Sequence, residues 1–559
     1  MADRLIYLPL GGAGEIGMNA YVYGYGAPGK ERLILVDLGV TFGDMESAPG
    51  IDLIMPDIAW LEKNKHRLEA IFVTHGHEDH LGGLGHLWSR LEVPIYARRF
   101  TGSLIRLKLE EAGHPADTVR IVEARPEVTE LGPFKVQYAP ISHSIPESSA
   151  LIIDTPAGRV LHTGDFKLDG TPVVGDAWDP VAWKQIATEV DGGIKVLTCD
   201  STNIFSTHPG RSEALLANPI LEWVMAQPNM VVATTFASNI ARLKTLADAA
   251  KAGGRKICLL GRAMRRMVSV GIETGILSDF PDTIGPEEAA KLPRNEVMLI
   301  VTGSQGERRA ASAQLSRGRY LGLSLKTGDS FLFSSKTIPG NEKSVGRIMN
   351  ALSEMGVEVY DADDGLYHVS GHANRPDIET MHEVLKPATI IPMHGEHLHL
   401  REHVMLARAK GMSAEVIVNG AMADLTGTAP KIVDQIETGR LYLDGNVLIG
   451  AMDGVVRDRI RMALNGQATV SVIIDEDDNA LPDAWVELMG LPVRGRSGTE
   501  LDQMIEAELA EFLERADRRT VRDDDKMEEA VRKITRQVSM EEIGKKPEVT
   551  VIVSRLMAD

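Results

Sequence analysis

The chain has 559 residues, too many for one core when domains mostly run to about 100–200 residues, so three or four domains are expected. Its 60 Lys+Arg stand against 79 Asp+Glu, a net charge of −19, with 43% apolar and 25% charged residues; such proportions exclude a disordered or fibrous chain. The acidic balance also argues against a protein that coats nucleic acid in bulk, while leaving room for a local basic groove.

No apolar run reaches the roughly 18 residues of a membrane span, and the opening MADRLIYLPLGGAGEIG lacks a signal-peptide pattern. Cys199 and Cys258 are the only cysteines, too few for a disulfide framework. The expectation is a cytoplasmic protein with no membrane association.

Residues 1–205 read as short apolar strands that often end in Asp or His. LILVDLG ends near Asp37, AIFVTHGHEDHLGG runs into a His-rich loop, FKVQYAPISHS ends at His143, GRVLHTGDFK at Asp165 and KVLTCDSTN at Asp200. Runs of this kind, bounded by Gly, Pro and Asp, predict buried strands. From 206 to 365 helical and strand patterns alternate, which predicts an inserted α/β layer with a parallel sheet. Strands ending in polar loops return over 366–449, at LYHVSGHA and ATIIPMHGEHLHL. Residues 450–465 read as a charged linker, and 466–559 as a small α+β domain. In that domain Leu501, Met504, Ile505, Leu509, Phe512 and Leu513 form one helical stripe.

Gly12, Gly14 and Gly17 follow a strand, and Asp37 lies beyond them, as in a dinucleotide-binding fingerprint. That fingerprint needs a helix opening at the glycines to receive a pyrophosphate. The next residues, NAYVYGYGAPGKERLILVD, read instead as two β-runs joined by a Gly/Pro turn. A hairpin is predicted there.

The segment His75-Gly-His77-Glu78-Asp79-His80 carries the strongest chemistry. In an extended segment residues i and i+2 point the same way, so His75 and His77 can share one ion while Asp79 and His80 reach another. Such a cluster is costly to desolvate without a partner. His143 can complete a three-His face, Asp165 can bridge, and His394 in PMHGEH can join Asp79 and His80. The donors are all N and O, which suits zinc or manganese, with magnesium also possible. Two divalent ions would supply a nucleophile at neutral pH and clamp a phosphoryl group, so hydrolysis is the expected reaction class. His86, His162, His397, His399 and His403 read as supporting or surface histidines.

With Asp37, THGHEDHLGG, ISHS and HTGDF in this order, the first domain resembles the metallo-β-lactamase superfamily. The insert resembles the β-CASP domain of its nucleic-acid-processing branch. TGSQGE (302–307), HVSGHA (368–373), PMHGEH (392–397) and the overall layout resemble the ribonuclease J family of bacteria. The resemblance implies an αββα sandwich with an inserted α/β domain and a small C-terminal α+β domain. It implies two ions: His75, His77, His143 and Asp165 for one, Asp79, His80, Asp165 and His394 for the other. It also implies a 5′→3′ exoribonuclease with endonucleolytic capacity, acting in maturation and decay of mRNA and rRNA. Asp79, Asp200 and His372 carry the catalytic roles, and His394 stands where DNA-processing members have valine, which favours RNA. A structural calcium near Asp52 and Asp444, a homodimer or homotetramer, and RNA-decay or ribosome-associated protein partners are further implications. The basic TGSQGERRAASAQLSRG departs from the family's usual form.

The residues themselves support a phosphate grip. His368, Val369, Ser370, Gly371 and His372 offer backbone N–H groups around a glycine and two imidazoles, a reasonable anion nest for the 5′-monophosphate of single-stranded RNA. His372 is placed to protonate a leaving oxygen with Asp200 orienting it. Ser304 and Gln305 are candidates for further contact, as are clusters at Arg98, Arg99, Arg106 and Lys108, at Arg255, Lys256, Arg262, Arg265 and Arg266, and at Arg308, Arg309, Arg317 and Arg319. Two other readings compete: a small-molecule metallohydrolase, which would lack so long an insert, and an RNA-binding scaffold, which would have lost a ligand.

Overall fold

The computed structural model describes residues 2–362 and 365–557. Two sheets face each other across the main core. The first has eight strands in the order Lys431–Gln435, Ala421–Asp424, Arg4–Gly11, Ala20–Gly26, Arg32–Val36, Leu68–Phe72, Ile95–Ala97 and Val119–Ile121. The second has seven: Ser413–Ala414, Thr389–Met393, Ile194–Asp200, Gly158–His162, Ser149–Thr155, Phe134–Pro140 and Thr129–Leu131.

Alternation along each strand decides which face a side chain serves. Leu151, Ile153, Val160 and Val196 point inward against Tyr7, Tyr23, Val36 and Phe72 of the first sheet. Their neighbours Ile152, Leu161, Leu197 and Cys199 point outward, against Trp183, Ile378, Met381 and Val404 of the helices Pro180–Thr188, Arg375–Leu385 and His397–Ala409. Helices Leu84–Leu91 and Arg99–Glu111 pack together, the latter against the last two strands of the first sheet. The result is the αββα sandwich expected from the sequence.

The glycine run near the N-terminus makes no helix. Ala20–Gly26 pairs antiparallel with both Arg4–Gly11 and Arg32–Val36, so the dinucleotide fingerprint is a hairpin region, as its composition predicts.

The insert carries a five-stranded, all-parallel sheet ordered Lys256–Leu260, Val297–Val301, Val231–Thr234, Ser330–Phe333 and Glu358–Tyr360. Its strands are continuous apolar runs because helices cover a parallel sheet on both faces. The chain leaves for the insert after Ile194–Asp200 and returns beside it, since Thr389–Met393 pairs parallel with that strand and sets Met393 opposite Asp200.

A second compact unit comprises Phe42–Ile54 and Leu441–Asp559. Residues 441–449, placed by sequence in the first domain, thus group with the C-terminal part. The stretch expected as a linker folds as the helix Val455–Asn465, which buries none of its residues. Beyond it a three-stranded sheet, ordered Trp485–Met489, Gln467–Ile474 and Glu548–Arg555, packs under the helices Leu501–Arg515 and Asp524–Ile543. Leu501, Ile505, Leu509 and Leu513 of the expected stripe are buried there. Among the described residues no helix is long and apolar enough to cross a membrane.

Candidate metal centre

Strand ends of both sheets deliver the expected donors to one place. His75, His77, His143 and Asp165 present ligand atoms within 4.8 Å of one another, as do Asp79, His80, Asp165 and His394, so Asp165 is common to both groups. Asp200, His372 and His394 form a further such group with Asp165. His75 Nε2 and His143 Nε2 each lie 3.2 Å from His77 Nδ1, and Asp165 Oδ2 is 3.7 and 3.8 Å from those two Nε2 atoms. Four donors about 2.1 Å from one ion stand about 3.4 Å apart, so this set fits a tetrahedral cation. In the second group, Asp79 Oδ2 is 3.1 Å from His394 Nε2 and 3.6 Å from His80 Nε2, and Asp165 Oδ1 is 3.2 Å from His80 Nε2. Asp165 Oδ1 is buried and receives no aligned hydrogen bond from the protein, as suits an oxygen reserved for a cation.

Three of the imidazoles, those of His75, His80 and His143, have a partner at Nδ1. His80 Nδ1 donates to Asp37 Oδ2 at 2.7 Å, and His143 Nδ1 donates to the Gly371 carbonyl at 2.6 Å. Thr74 Oγ1 lies 3.0 Å from His75 Nδ1 and itself donates to Asp37. These bonds leave the Nε2 lone pairs aimed at the centre, the usual arrangement of histidine ligands. Asp37 (φ 61°) and His394 (φ 50°) sit in the left-handed region, uncommon for such residues and typical of functional positions. Gly39 admits no side chain, because a Cβ there would stand 1.7 Å from the Asp79 carbonyl oxygen.

Burial decides much of the electrostatics. It lowers His77 to about 4 and drives His75 and His143 well below the ordinary imidazole range, so these three are neutral and free to ligate. Burial opposes the His80 imidazolium too, yet Asp165, Asp79 and Asp37 together push it up to about 10. A lone pair in such a field of carboxylates attracts a cation of any kind, proton or metal.

The loop after the insert reaches this centre. His372 Nδ1 donates to Asp200 Oδ2 at 2.8 Å. Ser370 Oγ accepts from Asn203 Nδ2 at 2.7 Å and from the His372 N–H at 3.1 Å, so that N–H is engaged within the loop. Val369 is buried, and His368 lies 3.5 Å from Arg242, which is fully buried against Glu213 and the Ser334 and Tyr367 carbonyls. Gln305 is buried and holds Lys336 O and the Ile338 N–H, a structural part in the turn it occupies.

Several supporting residues escaped sequence reasoning. Asn19 Nδ2 donates to the Asp79 carbonyl at 3.0 Å and lies 3.0 Å from His80 Nε2, with Tyr21 OH fixing its amide at 2.7 Å. Thr202 Oγ1 bonds Asp200 Oδ1 at 2.7 Å and the His394 carbonyl at 3.1 Å. The glycines beside Asn19 and the STN run after Asp200 were the available signals.

Of the other histidines, His162 is fully buried between Tyr23 and Thr198. His403, also fully buried, bonds Ser201. Asp52 accepts the Gly445 N–H at 3.0 Å, and Asp444 pairs with Arg459 at 2.7 Å. Among the described residues neither joins a group of three or more His, Cys, Asp or Glu donors. Arg98, Lys108 and Arg266 pair with Asp176, Glu78 and Glu111, and Arg255 bonds backbone carbonyls. By contrast, Arg262, Arg265, Arg308, Arg309, Arg317 and Arg319 are exposed and make no ion pair among the described residues.

Family models match nearly every part of this architecture. The metallo-beta-lactamase superfamily matches residues 13–198, the beta-CASP domain of ribonuclease J 228–352, the Zn-dependent metallo-hydrolase RNA specificity domain 366–418, and the ribonuclease J C-terminal domain 454–556. A "Ribonuclease J" of Sinorhizobium meliloti is 37% identical over 555 residues, 99% of this chain and 98% of that one. The chain belongs to the ribonuclease J family. "Ribonuclease J 1" of Streptococcus pyogenes is 35% identical over 83% of this chain and 82% of its own, and "Ribonuclease J" of Thermus thermophilus 33% over 85% and 83%. A solved protein of unknown function from Enterococcus faecalis shares the fold at TM-score 0.52 and 16% identity, covering 75% of this chain and 99% of its own. Membership in the family and the His/Asp clusters together make this chain a metal-dependent ribonuclease.

Proposed function

We propose that this ribonuclease is a two-ion 5′→3′ exonuclease that also cuts internally, acting on single-stranded RNA and preferring a 5′-monophosphate end. One observation carries the reading: the loop His368–His372 is bonded both to a candidate ligand, through Gly371 and His143, and to Asp200, through His372. An end phosphate gripped by this loop lies beside the cation-binding donors, which suits cutting close to a 5′ end.

His75, His77, His143 and Asp165 would hold one divalent ion and Asp79, His80, Asp165 and His394 the other, with zinc favoured and manganese or magnesium as alternatives. When bound, the ions supply a nucleophile at neutral pH and neutralise charge on the phosphoryl group. The chain does the rest. Asp165 and the histidines fix the geometry, Asp37 and Gly371 hold two imidazoles in the ligating tautomer, and Asn19 braces the Asp79–His80 turn. Burial works against a proton on His372, but Asp200 and Asp165 raise its pKa, so a proton is available there for the leaving 3′ oxygen. The exposed arginines at 262, 265, 308, 309, 317 and 319 suit contacts to the RNA backbone, whose attraction needs only local positive charge.

Digestion of one RNA labelled at its 5′ or its 3′ end tests this reading. Immediate release of labelled mononucleotide from the 5′ label, with the 3′-labelled strand shortening step by step, is the expected pattern. Release from the 3′ label first would overturn it.

Self-association through the C-terminal sheet completes the proposal. Trp485 and Ile552 both flank Ser471 on that sheet and are about half exposed, at 56% and 48%. A dimer or tetramer is expected, consistent with paired exposed apolar residues, and removal of 466–559 should lower the number of chains per particle found by light scattering. An unchanged oligomer would give the domain another job.

A further inference from the structure

Behind the strand that carries Asp200 lies a second gathering of donors. Cys199 points away from the metal centre, into the helix layer, as alternation along Ile194–Asp200 requires. It meets His382 of the helix Arg375–Leu385 and His403 of the helix His397–Ala409, with ligand atoms all within 4.8 Å. All three residues are 0% exposed. The imidazoles stack 5.0 Å apart at 21°, with their Nε2 atoms facing at 3.0 Å. Cys199 shares an apolar core with Leu197, Ile204, Ile378 and Val404.

Protein groups alone satisfy this cluster poorly. His403 Nδ1 is bonded to Ser201 Oγ at 2.9 Å, and the two facing Nε2 atoms can share only one proton, which an ion between them would replace. His382 Nδ1, the other nitrogen of its ring, is buried with no hydrogen-bond partner.

We propose that Cys199, His382 and His403 form a third cation site, separate from the catalytic donors, for a thiophilic ion of the zinc or copper class. One sulfur and two imidazoles with no oxygen donor disfavour magnesium, calcium and manganese and suit zinc or cuprous copper. Two imidazoles on an ion about 2.0–2.1 Å away stand about 3.4 Å apart, a few tenths beyond their present separation. The Ser201 hydroxyl on His403 Nδ1 is the outer partner that orients a ligating histidine. The ion would tie two helices to the strand on either side of Asp200, through Cys199 directly and through Ser201 by way of His403. Its part is to brace the turn Asp200–Thr202, which in turn bonds His394.

Cobalt(II) loading of the full-length protein tests the site independently of any ribonuclease reading. The catalytic donors are all nitrogen and oxygen, so an intense thiolate-to-cobalt charge-transfer band in the near ultraviolet can arise only from Cys199 or Cys258. The band is expected in wild type and in Cys258→Ser, and it should be lost in Cys199→Ser and in His403→Ala. X-ray absorption at the zinc and copper edges, on protein from cells supplied with either metal, should show one sulfur neighbour at the edge of the ion that occupies the site. Cobalt-loaded wild type without a sulfur band overturns the proposal. So does a band that survives in Cys199→Ser. Should Cys199→Ser or His403→Ala fail to fold, the Cys258→Ser spectrum decides, since Cys199 is then the only thiol.

Discussion

His372 Nδ1 donates to Asp200 Oδ2 across 2.8 Å, joining two residues 172 positions apart. The insert lies between them in sequence, so the contact joins the two segments of chain that flank it. Thr202 adds a second tie from the same turn to His394. The carboxylate that orients the proposed proton donor therefore belongs to the element that also fixes a candidate ligand. A disturbance in this turn should reach both.

Asp200→Asn and His372→Gln should each reduce cleavage about 10²-fold or more, the size of a general-acid contribution. Because the two act as a unit, the double variant should lose little beyond either single one. Single-turnover rates on one RNA check this. Losses that multiply would show that the residues act separately.

Asp79→Ala or His80→Ala should abolish cleavage while the protein stays folded and still binds RNA. Each removes a donor of one candidate ion site while leaving the exposed arginines and the loop His368–His372 intact. Circular dichroism and gel-shift binding would report the fold and the affinity. Near wild-type turnover in metal-defined buffer would sink the ligand assignment.

His368→Ala or Ser370→Ala should erode the preference for 5′-monophosphate over 5′-triphosphate by about 10-fold or more, as loss of a hydrogen bond to a charged group would. Internal cleavage should change less. The assay compares the same RNA with either end, using wild type and variants. Equal wild-type rates on the two ends would refute the closed phosphate pocket.

His368 bears on stability as well. Burial, with Arg242 next, lowers its pKa from the ordinary 6.5 to about 3. Below 6.5 the unfolded chain takes up a proton that the folded chain refuses, so stability falls as the pH drops from 6.5 towards 3. Each such proton is worth about 1.4 kcal/mol per pH unit. His368→Gln should remove about that slope between pH 6 and 4, measured by urea unfolding across pH. An unchanged slope would mean that His368 is not held neutral by its surroundings.

The donors of the centre were legible because their chemistry is local. His75 and His77 share a side by i and i+2 spacing, and Asp37, His143, Asp165 and Asp200 mark themselves as polar residues ending apolar strands. The parallel insert announced itself by alternating helical and apolar runs, and the glycine hairpin by its β-rich neighbours. What stayed hidden depends on strand order. Only the pairing of Ile194–Asp200 with Thr389–Met393 sets His394 beside Thr202 and Asp200. Asn19 and Asn203 are ordinary amides until folding aims them at His80 and Ser370. Cys199, His382 and His403 share no spacing at all, because two helices and a strand from distant stretches converge on them. Sequence by itself determined which residues carry reactive groups and which elements present them. Tertiary structure decided which groups face one another, since hydrogen bonds and burial act through distances that only the packed chain defines.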